Sequence, residues 1–380
     1  MCVLDVCKDE YNMKFQNCTL EKINKEIGNK KIIFFGKGSW LNAINHSELM
    51  ALSKQFCYVI DNNVSERNIK LGSLVLPVYL PEKIREEEEC VIILTSPVYM
   101  YDMYCQLQEM NLGNGISCYA FPFMQMASEN KIENGLLKTV VGDNGNHKIP
   151  KIIHSFWFSG DEKPYAYQKC IDSWKKLLTD YEIIEWNKDN YDWHKHPFVE
   201  RAIEMGAWAF ASDYARLDVL REYGGIYLDM DVEVFKPFDD LLENDALLSF
   251  SNHVLVDLAV LASRKDNPLM SRLLSLYDNV ELPDEKSGFT KFFQPSFVRE
   301  ALVENGIAMD GSLQKVKNAT VFPPEFFMPM DQVLFREYEK TENTYCVHYD
   351  NFGWSFSKDN KREKKIRDNN ELWKLIENTP

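Results

Sequence analysis

The sequence predicts a two-domain α/β protein in which a smaller, doubly wound domain precedes a larger one. The chain has 380 residues, more than a single core usually serves. Short apolar runs alternate with helix-like stretches through the first third of the chain. A polar segment with turn dipeptides, residues 128–147, then interrupts the alternation. We therefore expect one domain at 1–135 and a second at 148–380.

The first domain is predicted from alternating strand and helix signals. The run KIIFF, 31–35, leads through Gly36-Lys37-Gly38 into a helix-like stretch at 39–55, and a second apolar run ends at Asp61. Two further apolar runs, 91–96 and 117–121, continue the alternation, which is typical of a parallel sheet. We expect Gly36 and Gly38 to serve the turn and the packing of the helix, and not to bind a nucleotide. The dinucleotide fingerprint would need a third glycine, where this sequence has Leu41.

Composition and charge exclude several classes of protein. The 43 basic and 58 acidic residues give a net charge of −15, which disfavours a nucleic-acid partner. The nine cysteines are scattered without a CxxC pair, so neither a metal cluster nor a disulfide framework is indicated. The chain also lacks a long apolar run and a signal-peptide pattern near its start, so we expect a cytoplasmic protein.

The largely apolar stretch EYGGIYLDMDVEVF, 222–235, carries three acids at alternate positions near its end. In a continuous strand, Asp229, Asp231 and Glu233 would project from one face, since alternate residues share a face. Three carboxylates so placed would repel one another, and a divalent cation would relieve that repulsion. Mn²⁺ or Mg²⁺ is the expected ion, because hard cations take carboxylate oxygens together with substrate phosphates.

The stretch AFASDYARLDVLREYGG, 209–225, predicts a helix that ends at Gly224-Gly225. Asp213 and Arg216 lie three residues apart and therefore share one helix face. They form either a surface ion pair or part of the cavity at the end of the acidic strand. In the second case the guanidinium fork would suit diphosphate or sugar oxygens.

The string SDYARLDVLREYGGIYLDMDV resembles the core signature of the DXD-containing glycosyltransferases. This group includes initiating mannosyltransferases, capsular polysaccharide enzymes and the glucosylating domain of large clostridial toxins. KIPKIIHSFWFSG at 148–160 and YCVHYDNFGWS at 345–355 extend the similarity to about 149–356. The resemblance implies a GT-A type domain, preceded here by a smaller Rossmann-like α/β domain of unknown role.

The resemblance also implies roles for individual residues. Asp213 would bind sugar hydroxyls, Trp157 would stack on the donor base, and Trp354 would contact the diphosphate. Core packing is the alternative for Trp157, as it is for His348. The expected catalytic residues are Asp213, Arg216, Asp229 and Asp231. The expected metal ligands are Asp229, Asp231 and His348. The expected substrate contacts are Trp157, Phe156, Tyr227, Trp354, Asn252 and Gln294.

These features together predict a hexosyltransferase of surface polysaccharide synthesis. It would move a hexose from a UDP-sugar, or from GDP-mannose, to a glycan or lipid-linked saccharide, with retention of anomeric configuration. A haloacid-dehalogenase-like phosphatase and a non-catalytic nucleotide-sugar-binding protein are the alternatives. Six basic residues at 358–367 form either a solvated helix face or a peripheral contact with the inner face of the plasma membrane.

Overall fold

The protein divides into two compact units. The structure, a computed structural model, describes residues 13–128, 134–252, 255–331, 334, 336–337, 340–349 and 361–377. One unit comprises the described residues up to 128 together with 331, 334 and 361–377. The other comprises the remaining described residues. No helix within the described ranges combines the length and apolar composition needed to cross a membrane.

The strands are β1 Lys14–Gln16, β2 Lys31–Phe35, β3 Phe56–Ile60, β4 Asn68–Leu71, β5 Leu74–Tyr79, β6 Cys90–Leu94, β7 Ile116–Ala120, β8 Ile152–Phe156, β9 Glu182–Trp186, β10 Gly225–Leu228, β11 Val232–Val234, β12 Ala246–Asn252, β13 Leu255–Ser263, β14 Gln314–Val316, β15 Ala319–Phe322, β16 Met330–Asp331, β17 Arg336–Glu337 and β18 Cys346–His348. The α-helices are α1 Ile23–Ile27, α2 Ser39–Ala43, α3 Met100–Glu109, α4 Phe121–Ala127, α5 Asn134–Val140, α6 Tyr165–Leu177, α7 Pro197–Glu204, α8 Trp208–Tyr223, α9 Pro268–Leu274, α10 Gln294–Phe297, α11 Arg299–Glu304, α12 Pro324–Phe327 and α13 Lys361–Glu377.

The first unit is built on a seven-stranded sheet in the order β1-β7-β6-β2-β3-β5-β4. All neighbouring strands run parallel except β4 and β5, which form an antiparallel pair. The α/β class predicted from the alternating pattern is therefore confirmed. Gly36 has a φ of +107°, and a Cβ on it would lie 2.6 Å from Thr95 Oγ1. This glycine is thus explained by close packing against Thr95, which directly follows β6.

The single helix expected at 39–55 is interrupted. Helix α2 ends at Ala43, and two 3-10 helices, Ile44–His46 and Glu48–Gln55, follow it. Ser47 separates them in an extended conformation, and its hydroxyl donates a hydrogen bond to the Ile44 carbonyl at 2.9 Å. A serine side chain that bonds to a nearby carbonyl competes with the helical backbone, which accounts for the break.

The C-terminal helix does not belong to the unit in which the expected domain bounds of 148–380 place it. Helix α13 belongs to the first unit, where Leu372 is fully buried in the core. The Trp373 ring packs edge-on against Phe123, with 4.9 Å between the ring centroids. The apolar side of this helix thus fills the core of the first unit, although its sequence is strongly basic at the start. Conversely, α5 in the expected linker belongs to the second unit.

The second unit contains a mixed seven-stranded sheet in the order β14-β15-β12-β13-β10-β8-β9. Strands β8, β9 and β10 are parallel, whereas β13 runs antiparallel to both β10 and β12. The mixed α/β architecture implied for the second domain is therefore confirmed. A separate two-stranded ladder joins β11 to β18, which brings the chain near 348 beside the acidic stretch.

Helix α8 leads directly into β10 through Gly224 and Gly225. Gly224 ends the helix with a φ of +73°, as the sequence predicts for a glycine cap. Gly225 follows with a φ of +108°, and a Cβ on it would lie 2.6 Å from the Ile152 carbonyl oxygen and 2.9 Å from His154 Nε2. These two glycines permit the tight turn that places α8 against the start of the acidic segment.

His154 is a core histidine. It is fully buried in β8, its Nε2 lies 2.8 Å from the Gly224 carbonyl oxygen, and its Nδ1 accepts a hydrogen bond from Trp186 Nε1 at 3.1 Å. Burial lowers the pKa of His154 to about 4, so the ring is neutral near pH 7. It supports the turn after α8 through its bond to the Gly224 carbonyl.

Replacing Gly225 by Ala should lower the free energy of unfolding by about 1–3 kcal/mol, because the new Cβ adds a clash to an unfavourable φ. The midpoint of chemical denaturation measures this loss. Gly160→Ala is the matched control, since Gly160 has a φ of +75° but open space around the Cβ position. Equal losses in the two variants would show that close packing at Gly225 contributes nothing.

Candidate active site

The acidic stretch is divided between two strands. Strand β10 ends at Leu228, a turn follows in which Val232 N donates to the Asp229 carbonyl at 3.1 Å, and β11 then pairs with β18. The expectation of one continuous strand with three acids on one face is therefore wrong. The physical reason is a change of partner, because β10 pairs with β8 and β13 while β11 pairs with β18 alone among the described strands.

The structure brings Asp229, Asp231 and His348 together. One potential ligand atom from each lies within 4.8 Å of the others. His348 Nε2 is 3.3 Å from Asp231 Oδ1 and 3.9 Å from Asp229 Oδ2. The ladder register, which pairs Val232 with His348, sets this approach. Two carboxylates and an imidazole at these distances form a group that could hold a metal ion.

Arg216 lies beside this group and is almost fully buried, at 5% exposure. Its Nη2 is 2.9 Å from Asp213 Oδ1 and 3.3 Å from Asp229 Oδ1. Its Nη1 donates to the Leu258 carbonyl at 2.9 Å, and its guanidinium carbon lies 4.4 Å from the centre of the Tyr227 ring. Arg216 is therefore held by an ion-pair network and by the sheet, and is not a surface pair partner.

Burial and charge oppose each other around Arg216. Burial alone would lower its pKa, but Asp229, Tyr227 and Asp213 outweigh burial and raise it, so the guanidinium stays charged. Burial raises the pKa of Asp213 to about 7, although Arg216 acts in the opposite direction. Burial also raises the pKa of Asp229, against the lowering effects of Arg216 and His348. The site therefore contains carboxylates that are costly to keep ionised without more positive charge.

Tyr227 holds Asp229 through a hydrogen bond. The Tyr227 ring is buried, and its hydroxyl donates a hydrogen bond to Asp229 Oδ1. The Asp229 backbone N–H also donates to the Ala259 carbonyl of β13 at 2.9 Å. These two bonds fix the aspartate at the end of β10. Tyr227 thus bonds to the first aspartate of the DXD motif, and its contact with substrate stays a prediction.

The Trp157 side chain is partly exposed. Its indole N–H donates to the Asp161 carbonyl at 2.7 Å, and its ring meets Tyr167 edge-on at 5.8 Å. Lys163 Nζ stands 5.6 Å from the centre of the indole ring. Burial raises the pKa of Tyr167 to about 12, and the charges of Asp231 and Asp229 add to the shift. Tyr167 therefore lies near Asp229 and Asp231, and Trp157 lies beside Tyr167.

Two other predicted substrate contacts, Phe156 and Gln294, are buried. The Phe156 ring is buried in the core, 5.1 Å from Phe158 and 5.3 Å from Tyr191, because β8 places neighbouring residues on opposite faces. Gln294 is also buried, and its amide donates to the Asp213 carbonyl at 2.9 Å, which ties it to α8. Asn252 ends β12, and its side chain lies outside the described residues, as does Trp354.

Sequence reasoning missed the contribution of helix α6. Its Trp174 Nε1 donates to the Val232 carbonyl at 2.7 Å, and its Ser173 hydroxyl accepts from Val234 N at 2.9 Å. These side chains bind the edge of β11 opposite β18. A helix-like pattern with a tryptophan gives no signal for such backbone contacts.

Comparison with known proteins agrees with this geometry. Residues 164–248 match the family described as "Glycosyltransferase sugar-binding region containing DXD motif". The matched segment includes α6, α8 and the turn that carries Asp229 and Asp231. The resemblance seen in SDYARLDVLREYGGIYLDMDV is therefore confirmed.

Similar proteins include two yeast enzymes. Inositol phosphoceramide mannosyltransferase 2 of Schizosaccharomyces pombe is 28% identical over 229 residues, which are 56% of this chain and 59% of that protein. Mannosyl phosphorylinositol ceramide synthase SUR1 of Saccharomyces cerevisiae is 27% identical over 173 residues, 41% of this chain and 42% of that protein. The chain thus spans about half the length of these two relatives.

Among solved structures, PaToxG Glycosyltransferase aligns at a TM-score of 0.32 and 20% identity, over 41% of this chain and 68% of that one. The family match rests on the sequence, and the matched segment includes Asp213, Arg216, Asp229 and Asp231. Residues 164–248 of the chain therefore match the sugar-binding region of the DXD-containing glycosyltransferases.

Proposed function

We propose that the protein is a metal-dependent glycosyltransferase that moves a hexose from a nucleotide-diphosphate sugar to a saccharide acceptor. The observation that carries the proposal is the meeting of Asp229, Asp231 and His348 beside a buried, charged Arg216. The relatives bear the names of mannosyl-transferring enzymes, so a mannosyl donor joins the UDP-sugar favoured from the sequence as a candidate. The second unit would then be a GT-A domain.

Asp229, Asp231 and His348 would hold the ion. Their two oxygen donors and one nitrogen donor suit Mn²⁺ better than Mg²⁺, which takes oxygen ligands. A bound divalent ion supplies positive charge to the two phosphates of the donor as the bond to the sugar breaks. The raised pKa of Asp229 is consistent with a carboxylate whose charge needs such a partner.

The chain's own residues would do the remaining work. Arg216 would donate hydrogen bonds to the diphosphate or to sugar oxygens, while Asp213 accepts hydrogen bonds from sugar hydroxyls. Gln294 would act through Asp213, whose carbonyl it binds. Trp157 would offer a flat face to the donor base, next to Tyr167.

The acceptor is proposed to be a glycan or a lipid-linked saccharide in the synthesis of a surface polysaccharide, with retention of anomeric configuration. The proposed location is the cytoplasm, at the inner face of the plasma membrane if the basic segment at 358–367 binds anionic lipid. In the described part of that segment, Lys364 and Arg367 lie within 4 Å of Asp368. A neighbouring acid weakens the attraction to lipid, which favours the solvated-face interpretation.

A donor-consumption assay separates the candidate activities. Incubation with Mn²⁺ and a panel of UDP- and GDP-sugars should release nucleoside diphosphate at a rate that EDTA abolishes. Release of inorganic phosphate instead would support the phosphatase alternative, in which Asp229 would be the nucleophile. Binding without either product would support a nucleotide-sugar-binding protein. Helix α8 argues for transfer, because the phosphatase scheme gives Asp213 and Arg216 no role.

Replacing Asp231 by Asn should reduce the rate of donor consumption about 100-fold or more, since one charged ligand of the ion is lost. The melting temperature should stay unchanged or rise, because repulsion from Asp229 is relieved. Asp180→Asn is the control, an acid with a 61% exposed side chain that pairs with Lys151. Full activity of Asp231→Asn would remove Asp231 from the reaction.

Replacing Trp157 by Ala should weaken donor binding by about 1–3 kcal/mol if the indole stacks on the base. Isothermal titration with the nucleoside diphosphate and Mn²⁺ measures the dissociation constant. Trp157→Phe, which keeps an aromatic face, should recover most of the affinity. An unchanged dissociation constant together with a lower melting temperature would instead assign Trp157 to the core, where it contacts the cluster around Trp174.

A further inference from the structure

A small polar cluster ties together the segments that carry the proposed metal ligands. Tyr349 OH donates to Glu233 Oε2 at 2.5 Å, and Lys169 Nζ lies 3.1 Å from the same oxygen. We propose that this cluster, here called the latch, positions His348 against the DXD aspartates, and that Glu233 and Tyr349 are its essential members. The inference rests on the proposed function, because it assigns a purpose to residues around the proposed metal site.

The backbone hydrogen bonds that hold the segment of His348 form only a short ladder. Strands β11 and β18 have three residues each, and in the described part of the chain β18 pairs with no other strand. One further bond, from Tyr349 N to the Asp231 carbonyl at 3.1 Å, extends the ladder towards the acids. Pairings of two such short strands contribute little stability by themselves, and the bonds from Ser173 and Trp174 of α6 reach β11 but not β18. A ligand carried on such a ladder needs additional contacts to keep its place.

The latch supplies those contacts from side chains. Glu233 and Tyr349 are 116 positions apart in the chain, so their bond joins the DXD segment to the segment of His348 directly. Hydrogen bonds between a hydroxyl and a charged carboxylate are shorter and stronger than neutral ones. The Glu233 side chain is only 14% exposed, which limits screening by water. Lys169 then links the same carboxylate to α6.

The latch also explains the third acid of the stretch DMDVE. One oxygen of Glu233 is engaged by both Lys169 and Tyr349. Asp229, Asp231 and His348 form the ligand group without it. Glu233 and Tyr349 are therefore positioning residues, which act on the ion through His348 and Asp231. Contacts of this outer kind typically change metal affinity by about 10–100-fold when they are removed.

Tyr349→Phe tests the latch, because it removes one hydroxyl and leaves the ring. We expect the dissociation constant for Mn²⁺, measured by electron paramagnetic resonance on the full chain without donor, to rise about 10-fold or more. Tyr345→Phe is the matched control. Tyr345 lies just before β18, and its hydroxyl also donates to a carboxylate, Asp240 Oδ2 at 2.8 Å. Its loss should leave the Mn²⁺ affinity unchanged.

Two changes at Glu233 test the other side of the bond. Glu233→Gln keeps an oxygen that can accept from Tyr349, so Mn²⁺ affinity should remain within about threefold of the original. Glu233→Ala removes the acceptor and should weaken Mn²⁺ binding as much as Tyr349→Phe does. Combining Glu233→Ala with Tyr349→Phe should add little further loss, since both changes break one contact.

Each outcome decides the proposal. The latch is overturned if Tyr349→Phe binds Mn²⁺ as tightly as the unmodified protein, or if Tyr345→Phe weakens binding equally. It is also overturned if Glu233→Gln loses as much affinity as Glu233→Ala. If the unmodified protein binds no Mn²⁺, the proposed function fails and the latch fails with it. Normal Mn²⁺ binding by all variants leaves the proposed function standing and removes the latch alone.

Discussion

The site in the second unit depends on one electrostatic constraint. Asp229 and Asp231 lie close to each other where little water reaches them. Arg216 satisfies part of this constraint by contacting Asp229, but it is shared with Asp213. Burial raises the pKa of both Asp213 and Asp229, which shows that the compensation by one guanidinium is incomplete. A divalent ion beside His348 would complete it, and the phosphates of a donor would in turn balance the ion.

The fold meets this constraint through elements that are far apart in sequence. Helix α8 supplies Asp213 and Arg216, β13 supplies the carbonyls of Leu258 and Ala259, and β18 supplies His348. Helix α6 binds the free edge of β11 through Ser173 and Trp174. The segment that carries Asp229 and Asp231 is thus bonded to α6 on one side and to β18 on the other. These bonds keep the two aspartates in place despite their repulsion. Rigid support of this kind is what preorganised electrostatic catalysis requires.

The sequence predicted the parts of this site that depend on local pattern. The helix containing Asp213 and Arg216 and its glycine end follow from helical spacing and from the glycines at 224 and 225. The nearness of Asp213 and Arg216 to the acidic turn is one of two alternatives that the pattern leaves open. Prediction from the sequence failed where contacts between distant segments determine the structure. The break between β10 and β11 arises from a change of pairing partner, and the role of Glu233 arises from Tyr349, neither of which a local pattern encodes. Likewise α13 follows its apolar side chains into the first unit, whereas its basic composition suggested only a solvated or membrane-facing helix.

The position of a bound ion tests the account most directly. A crystal of the protein grown with Mn²⁺ and a nucleoside diphosphate should show one anomalous peak, about 2.0–2.3 Å from carboxylate oxygens of Asp229 and Asp231 and from His348 Nε2. The diphosphate should share that ion and contact Arg216. A nucleotide bound with no anomalous peak at these three side chains, or a peak on other residues, would contradict the account.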